Sequence, residues 1–208
     1  MSGRTLVLLR HGRTEWNHEG RLQGQREVGL DATGHDQARR TAPAIAVLHP
    51  TLLWSSDLQR TRQTVAPIAQ ACGLEPVFDA RLREFGFGPY EGLSHEELRE
   101  HDPASYDALR RGDYDQVAHA ESQEHVATRM VAAITDLRDA LEPGETGVAV
   151  SHGAAIRLAV GSLLGWPDGL FRTLHALGNC GWAVLREHPH DGVLRLEAYH
   201  RSVEHPER

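Results

Sequence analysis

Two short apolar runs each end in a histidine followed by a glycine. Leu6 to Leu9 leads into Arg10-His11-Gly12, and Gly147 to Val150 leads into Ser151-His152-Gly153. Imidazole is both a nucleophile and a proton carrier near neutral pH. The glycine after each ring lets the backbone approach a ligand closely or adopt a positive φ. A third run, Thr51 to Ser55, feeds a helix whose first turn carries Arg60. That guanidinium lies beside a helix N-terminus, which itself favours anions. Arg10, Arg60, His11 and His152 can therefore converge on one anion with no metal. Taken singly each is an ordinary residue, because the chain holds 14 histidines. The joint pattern carries the argument.

The elements that must position these groups follow from periodicity. Thr5 to Leu9 reads as a buried parallel strand. Residues 13–30 read as a loop with Gly20, Gly24 and Gly29. Asp31 caps a helix to about Leu48, and Asp57 caps one that ends at Gly73, with Pro67 inside it. Glu75 to Phe78 is a short strand. Ser94 and Glu97 form a capping box within an otherwise irregular stretch, 84–121. Ser122 opens a long helix to about Leu141. A turn at 142–145, the strand Gly147 to Val150 and a helix from Ala154 to Leu164 follow. Trp182 to Arg186 and Val193 to Tyr199 are two last strands. The alternation predicts a three-layer α/β/α sandwich with a mostly parallel central sheet. It is expected to be a single domain over 1–208, with 85–121 as a cap-like insertion over the C-terminal strand ends. In such sheets ligands sit beyond those ends, where His11 and His152 fall.

Composition excludes several chemistries. All 22 basic residues are arginine. A P-loop lysine, a lysine Schiff base and a pyridoxal phosphate anchor are therefore absent. Guanidinium forks suit phosphate and carboxylate. The net charge of -7 argues against nucleic acid and against an anionic membrane as partner. A homodimer is left open. Cys72 and Cys180 read as free thiols in a reducing cytoplasm, and the strand-like start leaves no room for a signal peptide. His95-Glu96-Glu97-Leu98-Arg99 fails the zinc-helix pattern for want of a histidine at 99. His188, His190, His200 and His205 read as a solvated tail. The expectation is no metal and no cofactor.

The run Leu9-Arg10-His11-Gly12-Arg13-Thr14-Glu15-Trp16-Asn17 resembles the opening motif of the histidine phosphatase superfamily, in its phosphoglycerate mutase-like branch. Gly20-Arg21-Leu22-Gln23-Gly24 is similar to its substrate loop. Ser55-Ser56-Asp57-Leu58-Gln59-Arg60-Thr61 is similar to its second arginine motif. Leu82-Arg83-Glu84, followed by Gly88-Pro89-Tyr90-Glu91-Gly92, resembles the acid segment, and Val150-Ser151-His152-Gly153 the last motif. Five motifs in order make the resemblance specific. Leu22-Gln23-Gly24-Gln25 with Gly178-Asn179 is similar to phosphatases that act on glucosyl-3-phosphoglycerate. Arg13, Pro89 and Ala120 depart from the family pattern without removing a catalytic position.

The resemblance implies the following roles. His11 is the nucleophile and Glu84 the proton donor, while Arg10, Arg60 and His152 hold the phosphoryl group. Asn17, Gln23, Gly24 and Gly153 contact substrate, although Asn17 read from sequence alone is equally a plain loop residue. A carboxyl near about 4.3 would be ionised at neutral pH, so burial or the substrate's charge must keep Glu84 protonated. Phe85, Phe87 and Tyr90 either line the pocket wall or pack the insertion. The expected function is a cytoplasmic, metal-independent phosphomonoesterase. Its substrate would be a small phosphorylated metabolite, with glucosyl-3-phosphoglycerate and sugar phosphates as candidates. A cofactor-dependent phosphoglycerate mutase and a non-catalytic phospho-ligand sensor are the alternatives.

Overall fold

Side-chain alternation along the central strands sets the layers. The computed structural model describes residues 3–203. In chain order the elements are β1 (Thr5–Arg10), α1 (Glu15–His18), α2 (Ala32–Ala46), β2 (Leu52–Ser55), α3 (Gln59–Cys72) and β3 (Val77–Phe78). They continue with α4 (His95–His101), α5 (Pro103–Arg111), α6 (Gln123–Asp139), β4 (Thr146–Ser151), α7 (Gly153–Leu163), β5 (Trp182–Glu187) and β6 (Leu194–Arg201). Leu6 and Leu8 of β1 face one core with Met130 and Ile134 of α6 and Ile156 of α7. Val7 and Leu9 face the other, with Ile45 of α2 and Val65 and Ile68 of α3. Both faces of β1 and β4 are covered, which is why their sequences read as unbroken apolar runs.

The strand order is β3-β2-β4-β1-β5-β6. β1 and β4 are parallel, as are β4 and β2, and β2 and β3. β5 runs antiparallel to β1, and β6 antiparallel to β5. The predicted α/β/α sandwich with a mostly parallel sheet is the observed architecture. Arg10 and Ser151 are register partners at the ends of β1 and β4. His11 and His152 therefore emerge side by side, one residue beyond the same sheet edge.

Several boundaries differ from expectation. The stretch 13–30 contains the short helix α1, opened by Thr14, whose capping box is closed by Asn17. Asp57 does not cap α3. Leu58 holds that position without a side-chain bond, and Asp57 instead makes a fork onto Arg83, at 2.6 Å for both arms. Pro67 lies inside α3, which continues to Cys72. Residues 85–121 carry α4 and α5 as well as short 3-10 turns. Ser94 and Glu97 do form the capping box of α4. His188 and His190 lie at the turn after β5 and His200 in β6, while His205 lies outside the described residues. Among the described residues no helix is long and apolar enough to cross a membrane.

Leu8 is 1% exposed in the larger core. Leu8→Ala is expected to cost about 3 kcal/mol, the usual range for a deleted core leucine. Chemical denaturation of the two proteins checks this, with a lower midpoint at unchanged slope.

Candidate active site

The nucleophile candidate has its tautomer fixed by its own neighbour. His11 Nδ1 lies 2.7 Å from the carbonyl oxygen of Gly12. A carbonyl only accepts, so Nδ1 carries the proton and Nε2 keeps its lone pair. Gly12 is fixed in turn, its N–H donating to Thr64 Oγ1 at 3.0 Å. A Cβ on Gly12 would lie 2.6 Å from the carbonyl oxygen of Gly34, so the close packing of this loop against α2 requires glycine. Asn179 Nδ2 donates to the carbonyl of His11 and to Asn17 Oδ1. Asn17 Oδ1 also accepts from the N–H of Thr14. The amide of Asn17 is thereby oriented with its Nδ2 end turned away from these donors.

His11 is 3% exposed, and Arg60 and His152 are wholly buried. The Arg60 guanidinium donates from Nε to His152 Nδ1 (3.2 Å) and from its two terminal nitrogens to the carbonyls of Arg26 (2.9 Å) and Gly24 (2.7 Å). Arginine only donates, so His152 Nδ1 is unprotonated. The ring proton then sits on Nε2, which donates to Ser56 Oγ at 2.9 Å. The His11 and His152 rings meet edge to face, their centroids 5.2 Å apart. Gly24 adopts φ +52, and a Cβ there would lie 2.1 Å from Glu91 Oε1. Glycine is what lets the substrate loop reach Arg60.

Arg10 is half-buried at the end of β1. One terminal nitrogen donates to the carbonyl of Leu177, and its buried Nε has no partner. A Cβ on Gly153 would stand 3.3 Å from that Nε, so Gly153 leaves room for the guanidinium. Glu84 closes the site from another element. Its Oε1 accepts from the N–H of Phe85 (3.0 Å) and of Ala155 (2.9 Å), and its Oε2 from that of Ala154 (3.1 Å). The carboxyl thus sits on the N-terminus of α7, where the helix dipole favours it.

Burial, then the charges of Arg60 and Arg10, hold His11 well below the ordinary histidine value, against the raising effect of the Gly12 bond. Burial and Arg60 do the same to His152, with His11, Arg129 and Arg10 adding to it. Burial pulls Arg60 down to about 10, against the raising charge of Glu84, which leaves it a cation at neutral pH. The result is two neutral imidazoles between two guanidinium groups.

A cleft of about 310 Å³ adjoins this centre at Arg10, Glu84 and Gly153, and Phe87, Arg110 and Arg157 also line it, whereas His11, Arg60 and His152 do not. A larger cavity of about 600 Å³ lies elsewhere, near Asp113, Trp166 and Asp168, and contains none of the candidate residues. Size alone would point away from the candidate residues. Leu22 of the substrate loop lines the smaller cleft, whereas Gln23 is buried with its Oε1 unpartnered. Phe87 faces the cleft, while Phe85 and Tyr90 pack the insertion, the Phe85 ring tilted against Tyr114 with centroids 4.3 Å apart. Ser56, Asn179, Arg110 and Arg157 had no assigned role in the sequence. Ser56 lies within the motif Ser55-Ser56-Asp57-Leu58-Gln59-Arg60-Thr61, and Asn179 within the pair Gly178-Asn179. Among the described residues no group of three or more histidine, cysteine or acidic side chains could hold a metal ion.

The chain is similar to known proteins along nearly its whole length. A profile described as "Histidine phosphatase superfamily (branch 1)" matches residues 6–199. A protein of Shigella dysenteriae named "Probable phosphoglycerate mutase GpmB" is 41% identical over 176 residues, covering 84% of this chain and 81% of that protein. The structure of a mycobacterial glucosyl-3-phosphoglycerate phosphatase complexed with VO3 superposes with a TM-score of 0.88 at 32% identity. It covers 96% of this chain and 100% of its own. A phosphoserine phosphatase mutant from Entamoeba histolytica, solved with phosphoserine, gives a TM-score of 0.81 at 28% identity, over 95% of this chain and 96% of its own.

The depressed imidazoles make stability depend on pH. The folded protein refuses protons that the unfolded histidines bind below about 6.5. This contribution is complete above that value and is lost as pH falls through the folded pKa values. The thermal midpoint is expected to fall from pH 7 to pH 5, and to fall less in His152→Asn than in the unchanged protein. Equal pH slopes in the two proteins would show that the buried rings contribute nothing to it.

Proposed function

The chain belongs to the histidine phosphatase superfamily (branch 1), and from that premise we propose that it hydrolyses phosphate monoesters of small metabolites through a phosphohistidine on His11. One observation carries the reading. His11 Nδ1 is committed to the carbonyl of Gly12, which leaves Nε2 unprotonated under the charges of Arg60 and Arg10, and the Glu84 carboxyl lies in the cleft that Arg10 lines.

Arg10 and Arg60 bind the dianion, which would otherwise repel a nucleophile, and stabilise the equatorial oxygens in line. His152 adds a donor by exchanging its bond to Ser56 for one to a phosphoryl oxygen, and Asn17 offers its free amide end. Nε2 of His11 attacks phosphorus. The bond to the leaving oxygen breaks, its electron pair stays on that oxygen, and Glu84 supplies the proton. Oε1 of Glu84 already accepts two amides and Oε2 only one, so the mobile proton belongs on Oε2. Water then attacks the phosphohistidine and gives a proton to Glu84, and the P–N pair returns to Nε2. The guanidinium groups do the work a metal would do.

The cleft carries Arg110 and Arg157 beyond the two arginines at the phosphoryl site. A neutral sugar needs neither. Their presence favours a leaving group with its own anionic group, such as that of glucosyl-3-phosphoglycerate, over a plain sugar phosphate. Isomerisation is the second reading, favoured by the relative named as a probable mutase. It requires the phosphohistidine to stay dry. The segment 85–121 puts only two short helices over the cleft, which favours hydrolysis. A sensor that only binds would have no use for Glu84.

Three measurements test the proposal. Phosphate release from a panel of glucosylglycerate, glycerate and sugar phosphates should persist in a chelator and be inhibited by vanadate. Loss of activity on chelation, restored by magnesium or zinc, would sink the metal-free mechanism. Acid-quenched mass spectrometry should place an acid-labile phosphate on His11. With 3-phosphoglycerate and trace 2,3-bisphosphoglycerate, release of inorganic phosphate should outrun formation of 2-phosphoglycerate, and the reverse would make the protein a mutase.

A further inference from the structure

The backbone that carries Glu84 is held by one side chain from a distant helix. Arg129, in α6, donates from Nε to Glu121 Oε1 at 2.8 Å. One terminal nitrogen donates to the carbonyls of Arg81 (2.8 Å) and Arg83 (2.6 Å). The other donates to the carbonyl of Glu84 (2.9 Å) and to Glu121 Oε2 (2.8 Å). A guanidinium has five N–H donors, and all are used. Glu121 completes the clamp on the far side of Glu84. Its Oε2 accepts from the N–H of Gly86 (3.2 Å), and its own N–H donates to the carbonyl of Gly86. Gln25 of the substrate loop adds a second donor to the Glu84 carbonyl at 3.1 Å. The main chain is thus fixed at 81, 83, 84 and 86. Beyond it, the Glu84 side chain has only its own torsions to set, and three amides set those.

We propose that Arg129, paired with Glu121, is a positioning residue for the proton donor Glu84. This rests on the reading of Glu84 as the acid. The pair is nearly buried, with side-chain exposures of 11% and 14%. Burial pushes Glu121 up, but the bonds and charge of Arg129 outweigh that and hold it below the ordinary glutamate value. It is therefore the carboxylate that a five-bonded guanidinium needs. Lysine, with three donors on a single nitrogen, cannot reach three carbonyls and both carboxylate oxygens.

A proton donor displaced by a fraction of its reach matters most when the leaving oxygen is a poor one. A nitrophenolate leaves with little help. The test measures single-turnover phosphorylation of the full chain with an alkyl phosphate and with nitrophenyl phosphate. The variants are Arg129→Gln, Arg129→Lys, Glu121→Gln and Glu84→Gln, together with the double variant Glu84→Gln/Arg129→Gln. Arg129→Gln should slow the alkyl ester by about 100-fold and the nitrophenyl ester by no more than about threefold. KM for the alkyl ester should change little. Arg129→Lys and Glu121→Gln should show smaller losses with the same selectivity, and they give the answer if Arg129→Gln does not fold. In the Glu84→Gln background the Arg129 substitution should add no further selectivity, because both act through one proton. Equal slowing of both esters by the Arg129 and Glu121 variants, with Glu84→Gln still selective, overturns the positioning role alone. Glu84→Gln slowing both esters equally overturns the acid assignment, and the positioning role with it.

Discussion

A buried positive charge is the constraint on which the rest of this molecule depends. Arg60 is fully enclosed, yet the groups it bonds are two carbonyl oxygens and an imidazole, with no carboxylate among them. Glu84 and Glu27 act on it only through space. Removing a guanidinium from water costs several kcal/mol, even after relaxation, unless an anion compensates it. On the reading proposed above, the compensating anion is the phosphoryl group of a substrate. The two imidazoles cannot share the cost, since each is kept neutral by burial and by the cations beside it. The site is therefore built short of negative charge, and a dianion relieves that deficit.

The same bonds tie substrate loop to chemistry. Arg60 can hold the carbonyls of Gly24 and Arg26 only because Gly24 turns through a positive φ against Glu91. Glu91 Oε1 in turn accepts from the N–H of Gln25 and of Phe87, so it joins the substrate loop to the segment that follows Glu84. Gln25 reaches the carbonyl of Glu84 itself. Arg60, the loop at Gly24 to Arg26 and the segment from Glu84 to Glu91 thus form one bonded unit. Three segments far apart in sequence are placed to within hydrogen-bond tolerance of each other, which is the pre-organisation that transition-state stabilisation requires.

How much of this could be read from the sequence depended on how local each signal is. The two histidines at strand ends were legible because burial on both faces makes β1 and β4 continuous apolar runs, and the strand end is where such sheets place ligands. Arg60 was legible from its place two residues into a helix. The α1 helix was hidden because its capping box ends in Asn17 instead of glutamate or glutamine. The α5 helix did carry a signal in Asp102-Pro103, an N-cap followed by proline at the first helical position, but it was lost in a stretch read as irregular. Asp57 looked like a cap and serves Arg83, a choice made by tertiary proximity. Arg129 had no motif at all, because three of its five partners are backbone carbonyls more than forty residues away, and carbonyls leave no trace in side-chain identity.

The absence of lysine gains a physical meaning at these sites. Arg60 divides its donors among three protein groups and still has N–H groups left for a ligand, Arg129 spends all five, and Arg83 makes a two-armed fork onto Asp57. Each task needs a planar array of donors at fixed angles, which a single ammonium cannot provide. The chain as a whole carries a net charge of -7, so its net charge supplies no attraction for an anion. Attraction must come from the cleft, where low-dielectric walls concentrate the field of Arg10, Arg110 and Arg157. Interior cations set in an acidic surface select for ligands small enough to enter and anionic enough to compensate the buried charge.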